Sequence, residues 1–383
     1  MTQGWLGHDP LSWEHIALPI GISFFTFQKL SYMIDVYRGH VRPARNFVSY
    51  ALYVALFPQL IAGPIIRYHD VADQLVERVH SSRKFSEGLY RFSIGLGKKV
   101  LIADAMGQLA DTIFGYWLHH LPMHYAWIGI FAYSLQIYFD FSGYSDMAIG
   151  LGKMMGFDFL ENFNRPYTSR NFTEFWHRWH ISLSNWMREY VYIPLGGNRV
   201  TPIRQYCNIW IVFLLAGLWH GASWNFIVWG IYHGCFLTLD KIFTPWKWTM
   251  IPNWVLQVVT FFFVTLGWVF FRMETLDLSL LYFACLFDFS SWGQVYEFPV
   301  NAERDLGYFL SEIIDSRTMF IMGLATIITL VPDDNRWLLK GRIWLRDSPW
   351  APYYKGVAAT VVLGLAVIDI ATLGYHPFIY FQF

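Results

Sequence analysis

Charge is scarce in this chain. Only 15% of its 383 residues are Asp, Glu, Lys or Arg, against about 25% in an average soluble domain. The 28 basic residues balance the 28 acidic ones, so the basic excess of a nucleic-acid binder is missing and nucleic acid is excluded as a partner. Cysteine is scarce too. Cys207, Cys235 and Cys285 show no CxxC spacing, so no disulfide framework is implied, and Cys207 and Cys235 fall in apolar segments as small hydrophobes. The opening MTQGWLGHDPLSWEHIALPIG lacks a basic stretch, so no cleavable signal peptide is expected. There is no Gly-rich phosphate loop and no GxSxG elbow.

Apolar residues fill the space that charge leaves. The chain is 55% hydrophobic and 20% aromatic. Its apolar runs are long and continuous rather than alternating, which argues for membrane helices and against a β-barrel. The expected fold is all-α: a polytopic bundle with spans at 16–34, 47–66, 89–115, 125–150, 205–224, 225–243, 254–272, 318–332 and 356–375. Several of these are interrupted by polar residues. Lys98, Lys99, Asp104 and Asp111 lie in 89–115, and Asp140 and Asp146 in 125–150. Charged groups in lipid are costly, so these must face protein, water or an interface. Basic residues gather at 37–45, 67–99, 165–204 and 336–346, which the positive-inside rule assigns to the cytoplasm; the acidic stretch 273–317 is then an extracytoplasmic loop. No repeat or separate soluble domain is visible.

One polar stretch stands out, FWHRWHISLSNWMREYVYIPLGG at 175–197. Asn171 or Thr173 is a fitting N-cap with Glu174 in the first turn. Trp176, Trp179, Leu183, Trp186, Met187 and Tyr190 recur at helical spacing, with Arg178, Ser182, Asn185 and Glu189 opposite. The pattern predicts an amphipathic helix over 171–192, lying at the membrane interface on aromatic anchors. His177 falls near the polar side and needs no more than that. His180 shares the apolar side, and a titratable ring among Trp and Leu needs a partner or a purpose.

A second histidine site lies in GLWHGASW. His220 follows a long apolar run, with Gly217 and Gly221 on either side to permit close approach of a helix or substrate. An intramembrane ionisable residue is a functional candidate. His233, in YHGC, reads as structural. Three chemistries suit such histidines. One is general base catalysis on a hydroxyl attacking a thioester or ester. A metal centre from His177, His180 and His220 is the second, although HRWHI is not the HxxHH box of membrane di-iron oxidases. The third is a proton relay with Asp140 in a transporter.

The segments LPIGISFFTFQKLSYMIDVYRG, FPQLIAGPIIRY, QIYFDFSGYSDMAIGLGKMMGF, NFNRPYTSRNFTEFWHRWHISLSNWMREYVYIPLGGNR and AGLWHGASWNFIVWGIYHG resemble the bacterial membrane-bound O-acyltransferase family, and within it the membrane components of alginate O-acetylation. The likeness runs from residue 16 to the closing PFIYFQF. It implies a single membrane domain over 1–383, a bundle of about nine spans with interfacial and re-entrant helices, and a central funnel. It also implies acyl transfer from a cytoplasmic donor, with acetyl-CoA as that donor and no bound cofactor or metal. The expected setting is the bacterial inner membrane, in contact with lipid. The expected acceptor is an exopolysaccharide such as alginate, or an exported SGNH-type acetyltransferase that passes the group on. The family's key histidines fall on His220, expected as the base, and His180, with the choice between them open. Arg178, Ser184, Arg188, Trp219 and Asp140 are the expected substrate contacts; headgroup or helix-bonding roles compete for Arg178, Ser184, Arg188 and Asp140. Family members carry further spans before LPIGISFFTF, whereas residues 1–17 alone precede it here, so N-terminal helices are expected to be missing. The rival reading is a non-enzymatic acyl or glycan translocator or scaffold.

Overall fold

The computed structural model describes residues 21–60, 63–116, 118–243, 251–293, 314–332, 340–341, 344, 348–374 and 377–378, and these contain helices and no strand. Helix α1 (Ile22–Tyr37) and α2 (Phe47–Ala55) are followed by α3 (Tyr68–Val76). Next comes one long rod: α4 (Ser82–Gly97) runs through a π-helical turn at Lys98–Ala103 into α5 (Asp104–Phe114). The Ser81 hydroxyl caps its start by accepting the Lys84 N–H. Helix α6 (Met123–Met154) is the central element. It buries residues on every side, among them Ala126, Ile130, Tyr133, Phe139 and Ile149, as a helix apolar all round must.

Glycine lets α4 meet α6. A Cβ on Gly95 would lie 2.6 Å from the Gly143 carbonyl, and one on Gly88 would lie 2.6 Å from that of Gly150. Such backbone contact is how membrane helices gain van der Waals attraction. The charges that looked costly in the sequence close this same seam. Lys99 pairs with Asp140 at 2.8 Å and with Asp104 at 2.6 Å. Asp146 takes Lys98 at 2.6 Å and Arg91 at 2.6 Å, and Arg91 reaches on to Glu161. The π turn places adjacent Lys98 and Lys99 so that both reach α6.

The C-terminal half adds α7 (Phe172–Arg178), α8 (Ile181–Met187), α9 (Pro202–His220), α10 (Trp224–Phe243), α11 (Asn253–Arg272), α12 (Leu276–Leu286), α13 (Ser316–Leu330) and α14 (Ala351–Leu373). Among the described residues, three helices are long and apolar enough to cross a bilayer: Trp224–Phe243, Asn253–Arg272 and Ala351–Thr372.

Three expectations change. The span at 47–66 is not one helix: α2 has nine residues, about 14 Å at 1.5 Å per residue, and a 3₁₀ turn with Pro58 follows it. The helix at 171–192 is broken at Trp179–His180 and ends in a π turn over Arg188–Tyr192. As a result Ser182, placed on the polar side by helical spacing, is buried. The acidic stretch 273–317 is not a loop throughout. Its LDLSLLYFACL run forms α12, which buries Tyr282, Cys285 and Leu286, while residues 294–313 lie outside the described residues.

Candidate active site: two histidines that share Trp219

His180 sits at the break between α7 and α8. Its backbone is left-handed, φ 44° and ψ 54°, a conformation that costs a non-glycine residue about 1–3 kcal/mol and persists only when its surroundings impose it. Here Asn162 imposes it. The Asn162 carbonyl accepts the Ile181 N–H at 2.9 Å, and its side-chain Oδ1 accepts the Ser182 N–H at 3.2 Å and the Ser182 hydroxyl at 2.8 Å. The amide N–H groups after His180 are thereby drawn off the helix that began at Phe172. Ser182 Oγ accepts the Ile65 N–H at 2.9 Å, and Asn162 Nδ2 donates to Ser145 of α6 at 3.0 Å.

The His180 ring is 1% exposed. Its Nδ1 lies 3.1 Å from Asn162 Oδ1, and its Nε2 is buried with no hydrogen-bond partner. Phe141 of α6 meets it edge-on at 4.7 Å. Burial, reinforced by His220, holds this imidazole well below its usual pKa range, so the ring is neutral at about pH 7.

His220 ends α9, where the chain turns into α10. Glycine again sets the approach: a Cβ on Gly217 would lie 2.3 Å from the Phe226 carbonyl, and one on Gly230 would lie 2.5 Å from that of Phe213. The half-buried His220 ring is walled by Trp219 at 4.7 Å, Phe271 at 4.9 Å, Trp229 at 5.2 Å and Phe226 at 6.1 Å between centroids. Trp219 joins the two histidines, with its ring 6.2 Å from that of His180. Phe27 of α1 stacks on Trp219 at 5.3 Å. The indole N–H of Trp219 is buried and unbonded, a donor in the same neighbourhood as an unoccupied acceptor.

Of the other sequence candidates, Ser184 stays close, its N–H donating to the His180 carbonyl at 3.0 Å. Arg178 bonds Glu174 at 2.6 Å and Thr168 at 3.0 Å. It lines a cleft of about 450 Å³ with Asn164, Arg170, Asn253, Trp254 and Gln257. Ser184 is half-buried and Arg188 exposed. Asp140 is held by Lys99. His177 is exposed. His233 is buried among Trp176, Trp229 and Tyr232 and accepts the Trp176 indole N–H at 3.3 Å, a packing role. Among the described residues no group of three or more His, Cys, Asp or Glu is placed to hold a metal. Asn162 and Ser145 escaped the sequence reading. They stand in no periodic pattern with the histidine that they serve, and only their place in NFNRPY and FSGYSD drew attention to those segments at all.

The two imidazoles thus stand among aromatic rings, linked through Trp219, in an all-helical protein. Comparison with known proteins gives the family. The model of the MBOAT, membrane-bound O-acyltransferase family, matches residues 40–276, a range that includes Asn162, His180 and His220. The chain is 41% identical to the probable alginate O-acetylase AlgI of Azotobacter vinelandii, over 98% of this chain and 78% of that protein. It is 34% identical to the peptidoglycan O-acetyltransferase of Helicobacter pylori, over 96% and 75%. It is 29% identical to the teichoic acid D-alanyltransferase of Bacillus subtilis, over 66% and 68%. The chain belongs to the membrane-bound O-acyltransferase family and is an O-acyltransferase; the non-catalytic translocator reading gives way to this.

Proposed function

We propose that the enzyme transfers acetyl from a cytoplasmic thioester, acetyl-CoA, toward an exported hydroxyl acceptor for O-acetylation of an exopolysaccharide such as alginate. The setting is the bacterial inner membrane, crossed by about nine spans that enclose a funnel. In the transfer step the acceptor hydroxyl oxygen bonds to the acyl carbon while a histidine takes its proton. The C–S bond breaks, and the thiolate leaves and is protonated. His220 is assigned as the base and His180 as its partner. The Trp219 indole N–H is suited to the carbonyl oxygen, and the cleft around Arg178 to donor phosphates, because a guanidinium matches phosphate geometry. Arg188 and Ser184 are assigned to the donor's approach, and Asp140 keeps the wall of α6 in place. The acceptor is either the glycan itself or an exported SGNH-type acetyltransferase that hands the group on.

The observation that carries this reading is the pairing of His180 and His220 through Trp219, with His180 Nε2 buried and unpartnered. The names of the relatives direct it to acetyl and polysaccharide. The test is ester-linked acetate on secreted polymer in cells whose own gene is replaced by a variant. His220→Ala is expected to lower it by about 10²- to 10⁴-fold, the usual worth of general base catalysis, at unchanged protein level and polymer export. Unchanged acetylation removes His220 from catalysis.

A further inference from the structure

Histidine has two ring nitrogens, and its use as a base depends on which one carries the proton. Hydrogen positions follow from the surrounding network, and at His180 that network leaves little choice. A backbone N–H can only donate. The Ser182 N–H points at the Asn162 side chain, so the atom it meets must be the carbonyl oxygen Oδ1; the amide turned the other way would set two donors against each other. The Ser182 hydroxyl also approaches Oδ1, and its own oxygen is already used in accepting from the Ile65 N–H, which leaves its proton for Asn162. Oδ1 therefore has nothing to donate. His180 Nδ1, 3.1 Å away, must carry the proton. The lone pair of the neutral ring is then on Nε2, the buried atom without a partner.

From this we infer that Asn162 is a positioning residue for acyl transfer: it fixes His180 as the Nδ1–H tautomer, with Nε2 offered to the substrate. The inference rests on the acyl-transfer reading of the histidine pair. Asn162 is suited to the task in three ways. It is fully buried, so water does not compete for Oδ1. Its Nδ2 is anchored on Ser145 of α6, so the amide is held from both ends. Its main-chain carbonyl and side chain together also hold the strained turn that presents His180. One residue thus sets both the place of the ring and its protonation pattern. The role of the amide is to orient the ring; it takes up no proton itself.

The tautomer is read directly by ¹⁵N NMR on histidine-labelled protein in detergent, with the His180 signals assigned by their loss in His180→Gln. The expected result in the wild type is a protonated Nδ1 and an unprotonated Nε2. A protonated Nε2 overturns the proposal without any Asn162 variant having to fold. Three variants are then compared in cells for ester-linked acetate on polymer at matched protein level. Asn162→Ala is expected to lower acetylation by about 10- to 100-fold, the loss seen when the partner that orients a metal-binding histidine is removed, taken here by analogy. It is also expected to lose the single His180 tautomer in the spectrum. Asn162→Asp, which still accepts from Nδ1–H, is expected to keep that tautomer and recover most of the activity. A folded Asn162→Ala with wild-type acetylation, or an Asn162→Asp with the tautomer and no recovery, overturns the role. The control is His180→Ala. If it acetylates normally, the reading of His180 itself has failed; if it is inactive while Asn162→Ala is active, only the role of Asn162 has.

Discussion

At the scale of single residues, two histidines were legible in the sequence and their support was not. A titratable ring within an apolar stripe or an apolar run is conspicuous, and His180 and His220 both came forward on that ground. Asn162 did not, because it lies 18 residues from His180 in a coil, where no period predicts contact. The structure also gives His180 a pH signature. Its ring is kept neutral in the fold, with a pKa depressed by burial, while in the unfolded chain it titrates near the ordinary value of about 6.5. Stability is therefore full above that value and is lost as pH falls below it, because the unfolded chain takes up a proton that the folded one refuses. The thermal midpoint of purified protein should drop from about pH 7 to about pH 5, and drop less in His180→Asn. Equal slopes in the two proteins would deny that His180 is buried in its neutral form. His177→Ala, by contrast, removes an exposed ring and should leave acetylation and stability unchanged.

At the scale of elements, hydropathy located most helices and misjudged where two of them stop. Nothing between Trp176 and Leu183 is glycine or proline, so the sequence offers no reason for a helix to break at His180. The reason is tertiary: Asn162 captures the N–H groups of Ile181 and Ser182. The seam between α4 and α6 was half legible. Its charges were visible, but their pairing was not, since Lys98 and Lys99 both reach α6 from a π turn. Gly143→Leu should push α4 from α6, because even a Cβ there would lie 2.8 Å from the Gly95 carbonyl. A loss of at least about 1–3 kcal/mol is expected, as for overpacked cores. Gly323→Leu, with nothing within 4 Å of its Cβ, serves as the neutral control in the same thermal scan. Asp140 allows a sharper distinction. Asp140→Ala removes one of the two carboxylates on buried Lys99, with Asp104 still 2.6 Å away, and should cost less than the ~3–5 kcal/mol of a buried charge left wholly unpaired. Replacing both partners, Lys99→Met with Asp140→Leu, should restore much of the stability. If the double variant is stable and still acetylates, Asp140 works as a helix tie; if it is stable and inactive, Asp140 meets the substrate.

At the scale of the whole molecule, composition alone placed the chain among helical membrane proteins, and the scarcity of charge made the few charged residues informative. The sidedness drawn from basic and acidic stretches is open to direct measurement. In a cysteine-free background, a single cysteine at Arg42 should react only with reagent admitted to the cytoplasm, and one at Glu274 with reagent added outside; the reverse pattern would invert the bundle. The long-range claim is that residues from distant parts of the chain, Asn162 and His180 on one side and Trp219 and His220 on the other, act as one site. Groups that act as a unit in catalysis give losses that do not add. The most direct measurement is ester-linked acetate on polymer from cells carrying His180→Ala, His220→Ala or both, at matched protein level. The account predicts a deep loss in each single variant and no further loss in the double. Wild-type acetate in either single variant would contradict it.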